Sequence, residues 1–521
     1  MLGELRPARR WPSGSGSRLR AACMALLCLM AATTAQAAIV FTVDSTSDGV
    51  DDNPGNGICH TADGTCTLRA AIMEANRTPN AGATIVLPAS AVPYTLQIFP
   101  TIADGEENGD LNLAVPAGYA PGPTTITGAG SDVTVIDANG IDRVLSVGGA
   151  GRVATISGVS MINGVTSAYG GGIAVSGGAA SLYLTDCVVR DNATEDVGGG
   201  IYNGGYLVAT RVTLTGNVAI GDGGGIASVD ALQLLHSTLS ANLTESSGGG
   251  ISSVGSTEST VESTTITANS AAIAGGGIYL GDAGKLTLGN SAVSNNKAAG
   301  NGGGISVSPN TTLYMSRSTI WGNSAVYYGG GISNGGSLFA SNATISSNSA
   351  GDSGGGIASG GVVNLYNVTI AFNQADANAD SVGVGAGIAT IYASPFNLRN
   401  SVVAGNYLAG VPDFNDCDGA VSVYGNNRFS DTGGCVVNGP GSFSLVASLD
   451  EIGVLKDNGG PTRTHALLPP SNMINGAVTC ADQNGTTLPT DQRGRARSVG
   501  ASCDIGAFEY DPGDIFINGF Q

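Results

Sequence analysis

The sequence predicts an all-β solenoid with about three strands in each coil, and one repetitive stretch carries the prediction. The tetrapeptide GGGI occurs eight times and a ninth copy, GAGI, ends at Ile388, with successive isoleucines 25 to 31 residues apart. An asparagine follows the last apolar run of every repeat. A repeat of this length cannot bury a core alone, so neighbouring repeats must stack.

The first 37 residues have the pattern of an export signal. Arginines precede the apolar run 21–32, and the sequence AQA at 35–37 has the small residues of a cleavage site. That run is shorter than the roughly 20 residues that a membrane span needs. The sequence therefore predicts a secreted or bacterial cell-surface protein that begins at Ala38 and has no transmembrane span.

A short capping helix is predicted next. Leu68, Ala71, Ile72 and Ala75 follow the spacing of an amphipathic helix. A helix at the end of a solenoid covers the apolar core and the unpaired strand edge. The motif CTLRAAIMEAN resembles the CSLREA-type N-terminal domain of exported bacterial β-helix proteins. Residues 38–83 are therefore interpreted as an N-terminal cap, and the resemblance implies no catalytic residues.

Residues 84–165 contain irregular β-rich runs and are predicted to form the first coils, and residues 166–410 form the regular repeats. Within each repeat, an aliphatic residue stands three places before the asparagine and a small residue five places before it, so both face inward. Cys187 belongs to the small row and is predicted to be a buried thiol rather than a reactive one. The GGGI and asparagine pattern resembles the repeats of polymorphic outer-membrane proteins and the wider right-handed parallel β-helix class. The resemblance implies that the asparagines stack as a ladder.

Residues 411–510 change character. They contain NGGPTRTHALL, DQRG and CDIGAFEY in that order, and together these motifs resemble the choice-of-anchor Q C-terminal domain. The resemblance implies a surface or secreted β-helix protein. Residues 511–521 are assigned to a C-terminal tail. His465, Asp491 and Arg493 within these motifs are interpreted as structural residues of a cap rather than as an acid-base cluster.

The charge of the chain limits its partners, and its cysteines predict disulfide bonds. The formal net charge is −19, which argues against nucleic acid as a partner. Cysteines that lie close in the sequence are predicted to form disulfides in an exported chain. The predicted pairs are Cys59 with Cys66, Cys417 with Cys435, and Cys480 with Cys503.

No cofactor and no metal site are predicted. The acidic loop of the cap (Asp44, Asp48, Asp51, Asp52 and Asp63) leaves calcium binding open, although it lacks the residue spacing of an EF-hand.

The candidate binding residues are aromatic side chains predicted to point outward, together with one arginine between them. They are Tyr314, Arg317, Trp321, Tyr327, Tyr328 and Phe339. Rings on adjacent coils stack on sugars or cover a lateral contact. Outward rows of threonine, which include Thr319, Thr344 and Thr369, are attributed to β propensity rather than to glycan or ice binding.

The predicted function is a structural or adhesive rod without catalysis, whose partner is an extracellular glycan or a host or cell-surface component. No catalytic residue is assigned, because the acidic residues of the repeats occupy unrelated registers. The alternative is a carbohydrate-active enzyme, a polysaccharide lyase or glycoside hydrolase, on the same scaffold. That alternative requires carboxylates and a basic residue that converge across adjacent coils.

Overall fold

A computed structural model describes residues 38–79, 82–101, 105–255, 257–392, 394–446, 448–477, 479–481, 485–497, 500 and 502–513. These residues form a parallel β-solenoid of about 11 turns, as the sequence predicts. The predicted export signal and the last eight residues of the predicted tail lie outside the described residues. No helix in the described ranges is long and apolar enough to cross a membrane.

The predicted capping helix is present as α1, Leu68–Ala75. Thr67 caps its first turn, because its side-chain oxygen accepts a hydrogen bond from the Ala70 N–H at 3.2 Å. The strands of the first coils, β1 to β10, are Ile39–Thr42, Ala83–Leu87, Tyr94–Thr95, Leu111–Leu113, Thr124–Gly128, Val135–Asp137, Leu145–Gly148, Val153–Ser157, Ser160–Ile162 and Val165–Thr166.

Most of the regular coils that follow have four strands, which are the three predicted strands and a two-residue strand after the asparagine. In two coils the second and third strands are continuous, as β36, Ser337–Ser346, and β39, Val362–Ala371. Strands β11 to β26 are Ile173–Ser176, Ser181–Thr185, Val188–Arg190, Ala193–Thr194, Ile201–Asn203, Tyr206–Thr210, Thr213–Thr215, Val218–Ala219, Ile226–Ser228, Leu232–Leu235, Thr238–Ser240, Leu243–Thr244, Ile251–Val254, Glu258–Glu262, Thr265–Thr267 and Ser270–Ala271. Strands β27 to β44 are Ile278–Gly281, Lys285–Gly289, Ala292–Ser294, Lys297–Ala298, Ile305–Val307, Thr312–Ser316, Thr319–Trp321, Ser324–Ala325, Ile332–Asn334, Ser337–Ser346, Ser349–Ala350, Ile357–Ser359, Val362–Ala371, Gln374–Ala375, Ile388–Thr390, Phe396–Arg399, Val402–Ala404 and Tyr407–Leu408.

The described residues after Leu408 contain six strands and one short 3-10 helix, Leu449–Glu451. Strands β45 to β50 are Cys417–Tyr424, Asn426–Phe429, Cys435–Asn438, Ser442–Leu445, Ile452–Lys456 and Thr464–Leu467. The two-residue strands of the coils form a separate sheet of ten strands, and β49 pairs with β50 in an antiparallel pair. All other pairings between these strands join each coil to the next in parallel.

Pairing occurs in register from coil to coil, so each repeat position forms a stack. Ile278, for example, lies beside Ile251 on one side and Ile305 on the other, and all three are fully buried. The predicted inward rows are buried, and Cys187 is a buried free thiol as predicted. The first glycine of GGGI makes the turn: Gly275 has φ of +65°, and a Cβ there would lie 2.3 Å from the Ile278 carbonyl oxygen.

An asparagine ladder runs along the core from Asn192 to Asn406. Each side-chain N–H donates to the side-chain oxygen of the asparagine one coil on, at 2.9 to 3.0 Å. Asp416 ends the ladder, because its carboxylate accepts from Asn406, Ser430 and Asp431. Burial raises the pKa of Asp416 to about 6, although these donors act in the opposite direction.

All three predicted disulfides are present. The Cα atoms are 5.1 Å apart in Cys59–Cys66, 5.4 Å in Cys417–Cys435 and 6.2 Å in Cys480–Cys503. The last of these pairs lies in a segment that packs on the outside of the solenoid. We call the described residues of 449–510 the lateral segment. They bury a second apolar core against the outward side of β43, with Ile505 and Met473 fully buried there.

Candidate functional site

The predicted outward rings form one close pair. Tyr314 on β32 and Phe339 on β36 are direct partners across adjacent coils, with ring centroids 5.2 Å apart and ring planes 12° apart. Both side chains are half-buried. Lys285, one coil earlier, places its ammonium 5.1 Å from the centre of the Tyr314 ring. The two rings are therefore stacked on one another from coil to coil along the solenoid axis.

The structure places Trp321 and Arg317 elsewhere, in contact with the lateral segment. The Arg463 guanidinium lies 4.6 Å from the centre of the Trp321 ring. Thr462 donates from its hydroxyl to the Arg317 carbonyl oxygen at 2.9 Å. These two predicted residues anchor a segment that returns from far along the chain.

Tyr327 and Tyr328 occupy the turn after β34, beside the narrow sheet of two-residue strands. They expose 52% and 38% of their surface, and neither ring pairs with another described aromatic ring. Of the six predicted binding residues, the structure brings together the rings of Tyr314 and Phe339.

These two rings belong to an outward row whose other members are mostly polar. The row follows the middle position of the second strand in each coil, and its members from upstream to downstream are Tyr183, Val208, Gln233, Thr260, Thr287, Tyr314, Phe339, Asn364, Asn397 and Ser422. Two cavities lie beside it. We call the part of the row from Thr287 to Asn397, with both cavities, the lateral groove.

The upstream cavity holds about 170 Å³. It is lined by the ring pair, by neighbouring residues of the same strands, by Thr287 one coil earlier and by Leu488 of the lateral segment. The downstream cavity holds about 280 Å³ and is lined by Asn364, Tyr366, Asn397, Leu398, Arg399 and Tyr424. Phe339 and Asn364 are direct partners on β36 and β39, so the two cavities follow one another along the groove.

The downstream cavity combines amides, rings and one guanidinium. Asn397 donates from its side-chain nitrogen to the Asn364 side-chain oxygen at 2.9 Å. The Arg399 guanidinium lies 5.9 Å from the centre of the Tyr424 ring. None of these residues was predicted from the sequence to bind a ligand. The signal that could have found them is the repeat register, because Asn364 and Asn397 share the outward position of Tyr314 and Phe339.

Comparisons with known proteins agree with this architecture. A family model described as a right handed beta helix region matches residues 207–344 and 249–429. The fold is a right-handed parallel β-helix. A crystal structure of pectate lyase Pel9A is similar at 15% sequence identity, covering 92% of this chain and 98% of that chain with a TM-score of 0.37. At that score the similarity contributes nothing to the assignment of function, and the search of curated proteins finds no match.

Two carboxylates of the β-helix lie near the upstream end of the groove. Glu258 and Glu262 are the two ends of β24, and Lys285 on the next coil pairs with Glu258 at 3.0 Å. Four residues of strand separate the two acids by about 13 Å. Glycoside hydrolases place their carboxylates about 5 to 9.5 Å apart. This pair therefore lacks the geometry of that chemistry.

The acidic loop of the cap uses its carboxylates within the protein. Asp48 forms a two-point ion pair with Arg69, at 2.6 and 3.0 Å. Asp44 accepts from the Cys66 N–H, and Asp52 pairs with His60 at 3.1 Å. Over the described ranges, no group of three or more His, Cys, Asp or Glu side chains could hold a metal ion. Calcium binding by this loop stays a prediction.

His465, Asp491 and Arg493 are structural in the β-helix. The Arg493 guanidinium pairs with the buried Asp491 carboxylate at 2.8 Å and lies 3.7 Å from the centre of the Phe508 ring. His465 is 3% exposed, and its two ring nitrogens face the Gly453 carbonyl oxygen and the Ser346 hydroxyl at 2.6 and 2.9 Å. Such partners suit a neutral imidazole that donates from Nδ1 and accepts at Nε2.

Acidification is expected to loosen the lateral segment through His465. Burial lowers the pKa of His465 from 6.5 to about 4, so the unfolded chain binds this proton at a higher pH than the folded chain does. The contribution of neutral His465 to the free energy of unfolding is complete above pH 6.5. About 3 kcal/mol of it is lost as the pH falls towards 4. Hydrogen exchange of β49 and β50 at pH 7 and pH 4.5 measures it.

His465→Gln provides the matched comparison, because it cannot take up the proton. We expect exchange in β49 and β50 to depend less on pH in this variant than in the wild type. Equal pH dependence in the two proteins would contradict the role of His465.

Proposed function

We propose that this β-helix is a secreted or cell-surface rod with a structural or adhesive role, which binds an extracellular glycan in its lateral groove without cleaving it. The observation that carries the proposal is the stacked pair of Tyr314 and Phe339 on adjacent coils, which lines the upstream cavity. Both rings are half-buried, so part of their apolar surface is open to the groove, where it can contact the apolar face of a sugar chain that runs along the rod.

The surroundings of the ring pair support a carbohydrate ligand. Amide groups of Asn364 and Asn397 follow directly downstream, and amides both donate and accept hydrogen bonds, as sugar hydroxyls require. Three disulfides support secretion or surface display, because such bonds persist in oxidising compartments. The basic and apolar pattern of residues 1–37 supports the same localisation.

The proposal predicts that the double variant Tyr314→Ala, Phe339→Ala binds its glycan at least tenfold more weakly than the wild type. Loss of central aromatic contacts costs on the order of 1 to 2 kcal/mol, and each 1.4 kcal/mol is tenfold in Kd. A glycan array identifies the ligand, and calorimetric titration gives the two dissociation constants.

Tyr183→Ala is the matched control. Tyr183 stands in the same outward row and is 37% exposed, but it lies outside both cavities. We expect this variant to bind as the wild type does. Equal weakening in the control and in the double variant would contradict the assignment of the site to the ring pair.

The alternative function, a polysaccharide lyase or glycoside hydrolase, is tested in parallel. Each glycan that binds is incubated with the β-helix, and reducing ends and unsaturated products are measured. We expect neither to accumulate above the level of a protein-free control. Turnover that survives purification and is lost in a groove variant would overturn the non-catalytic assignment and establish the enzyme.

A further inference from the structure

Arg399, at the downstream end of the groove, has a guanidinium Nε for which the described residues provide no acceptor. Among the described residues, its contact is the ring of Tyr424, and its Nε is shielded from solvent with no hydrogen-bond partner. Other arginines of the chain, such as Arg69, Arg211 and Arg497, pair with carboxylates. A shielded guanidinium nitrogen without an acceptor is costly unless a ligand supplies one.

The surroundings of Arg399 add no negative charge. The cavity is lined by two amides, two tyrosine rings and Leu398, and none of its lining residues is acidic. This contrasts with the chain as a whole, in which 40 acidic residues outnumber 21 basic ones. A planar guanidinium in such a place matches the two oxygens of a carboxylate or sulfate group, which it binds through two parallel hydrogen bonds.

We propose that the downstream cavity is an anion subsite, which takes the carboxylate or sulfate group of an acidic glycan. This inference rests on the proposed function, since it names the class of glycan that the same groove holds. The guanidinium of Arg399 binds the anionic group, and the amides of Asn364 and Asn397 bind neighbouring hydroxyls. Phe339 lies two coils from Asn397, about 10 Å along the axis, so one glycan chain spans the rings and the subsite.

Binding of three glycans of similar length tests the subsite: a polyuronate, a sulfated polysaccharide and a neutral polysaccharide. We expect the wild type to bind at least one of the acidic glycans at least tenfold more tightly than the neutral one at low salt. The acidic glycan that binds more tightly identifies carboxylate or sulfate as the ligand group. Arg399→Gln is expected to remove this preference, so that the acidic and the neutral glycan bind this variant equally.

Two further variants keep the test clear of folding effects. Asn397→Asp keeps the shape of the cavity and places a carboxylate beside Arg399, so it is expected to abolish the acidic preference. Arg211→Gln is the control, because Arg211 is exposed, pairs with Asp186 and lies outside both cavities. It is expected to keep the preference.

The outcomes separate this inference from the proposed function. An acidic preference that Arg399→Gln and Asn397→Asp leave intact would overturn the subsite, as would equal binding of all three glycans by the wild type. In both cases, weaker glycan binding by the double variant Tyr314→Ala, Phe339→Ala would still support the proposed glycan-binding rod. Absence of binding to any glycan would overturn both.

Discussion

Replacing Asn296 with alanine is expected to lower the free energy of unfolding by about 4 kcal/mol. Its side-chain nitrogen donates to the Ile266 carbonyl oxygen and to the Asn323 side chain, at 3.0 and 2.9 Å. Its side-chain oxygen accepts from the backbone and the side chain of Asn269, both at 2.9 Å. Alanine removes these four buried hydrogen bonds, each worth about 0.5 to 1.5 kcal/mol. The Asn269 side chain keeps its bond to the Leu239 carbonyl oxygen, and the Asn323 side chain still accepts from the backbone N–H of residue 296.

Chemical denaturation and hydrogen exchange measure this loss. A stacked array does not unfold in a single step, so the exchange of β25, β29 and β33 reports the local effect. Asn53→Ala is the control, since this asparagine is exposed in the cap and its side chain forms no hydrogen bond in the structure. A loss below about 1 kcal/mol in the Asn296 variant would show that the ladder contributes little to stability.

The second large effect is expected at the cap. Arg69→Met should destabilise it by about 3 to 5 kcal/mol, because the change leaves the Asp48 carboxylate buried without its partner. Both side chains are 1% exposed. Arg69 also donates to the carbonyl oxygens of Glu106, Gly109 and Asp110, at 3.3, 2.8 and 3.1 Å. Loss of Arg69 therefore frees the loop that leads into β4 as well as the acidic loop.

Thermal unfolding, together with protease cleavage within residues 44–64, measures the cap. Arg211→Met is the matched control, because this arginine forms a similar two-point pair with Asp186, at 2.6 and 2.8 Å, with both side chains more than half exposed. Exposed pairs contribute about 0 to 1 kcal/mol. Equal effects of the two substitutions would contradict the importance of burial.

Much of the solenoid was predictable because its determinants are local and repeat at a fixed period. The stacked isoleucines, the inward aliphatic row and the asparagine row each recur once in every coil, and one register assigns all three. The helix α1 was predictable for a similar reason, since four apolar residues within eight positions define one face. Local pairs of cysteines gave the three disulfides.

Contacts made over long sequence separations were not predictable in this way. Trp321 has an outward register, but Arg463 covers it, and Gln492 of the lateral segment bonds to the Thr319 hydroxyl from 173 residues away. Thr344 and Thr369, on the same outward row, also bond to this segment. No periodic pattern marks such a return of the chain.

The end of the ladder and the anion subsite were missed for a different reason. Asp416 completes the asparagine row as a carboxylate, ten residues after Asn406 and outside the regular interval. Arg399 is conspicuous only once the structure shows that no described residue accepts from its Nε and that no residue lining its cavity is acidic. A lone arginine in a repeat carries no such information in the sequence.

A crystal structure of the β-helix with a bound acidic oligosaccharide tests the central claim most directly. We expect an intact glycan along the lateral groove, with a sugar ring in contact with the Tyr314 and Phe339 side chains and an anionic group at the Arg399 guanidinium. A glycan bound on another face, or a cleaved product in the groove, would contradict the account.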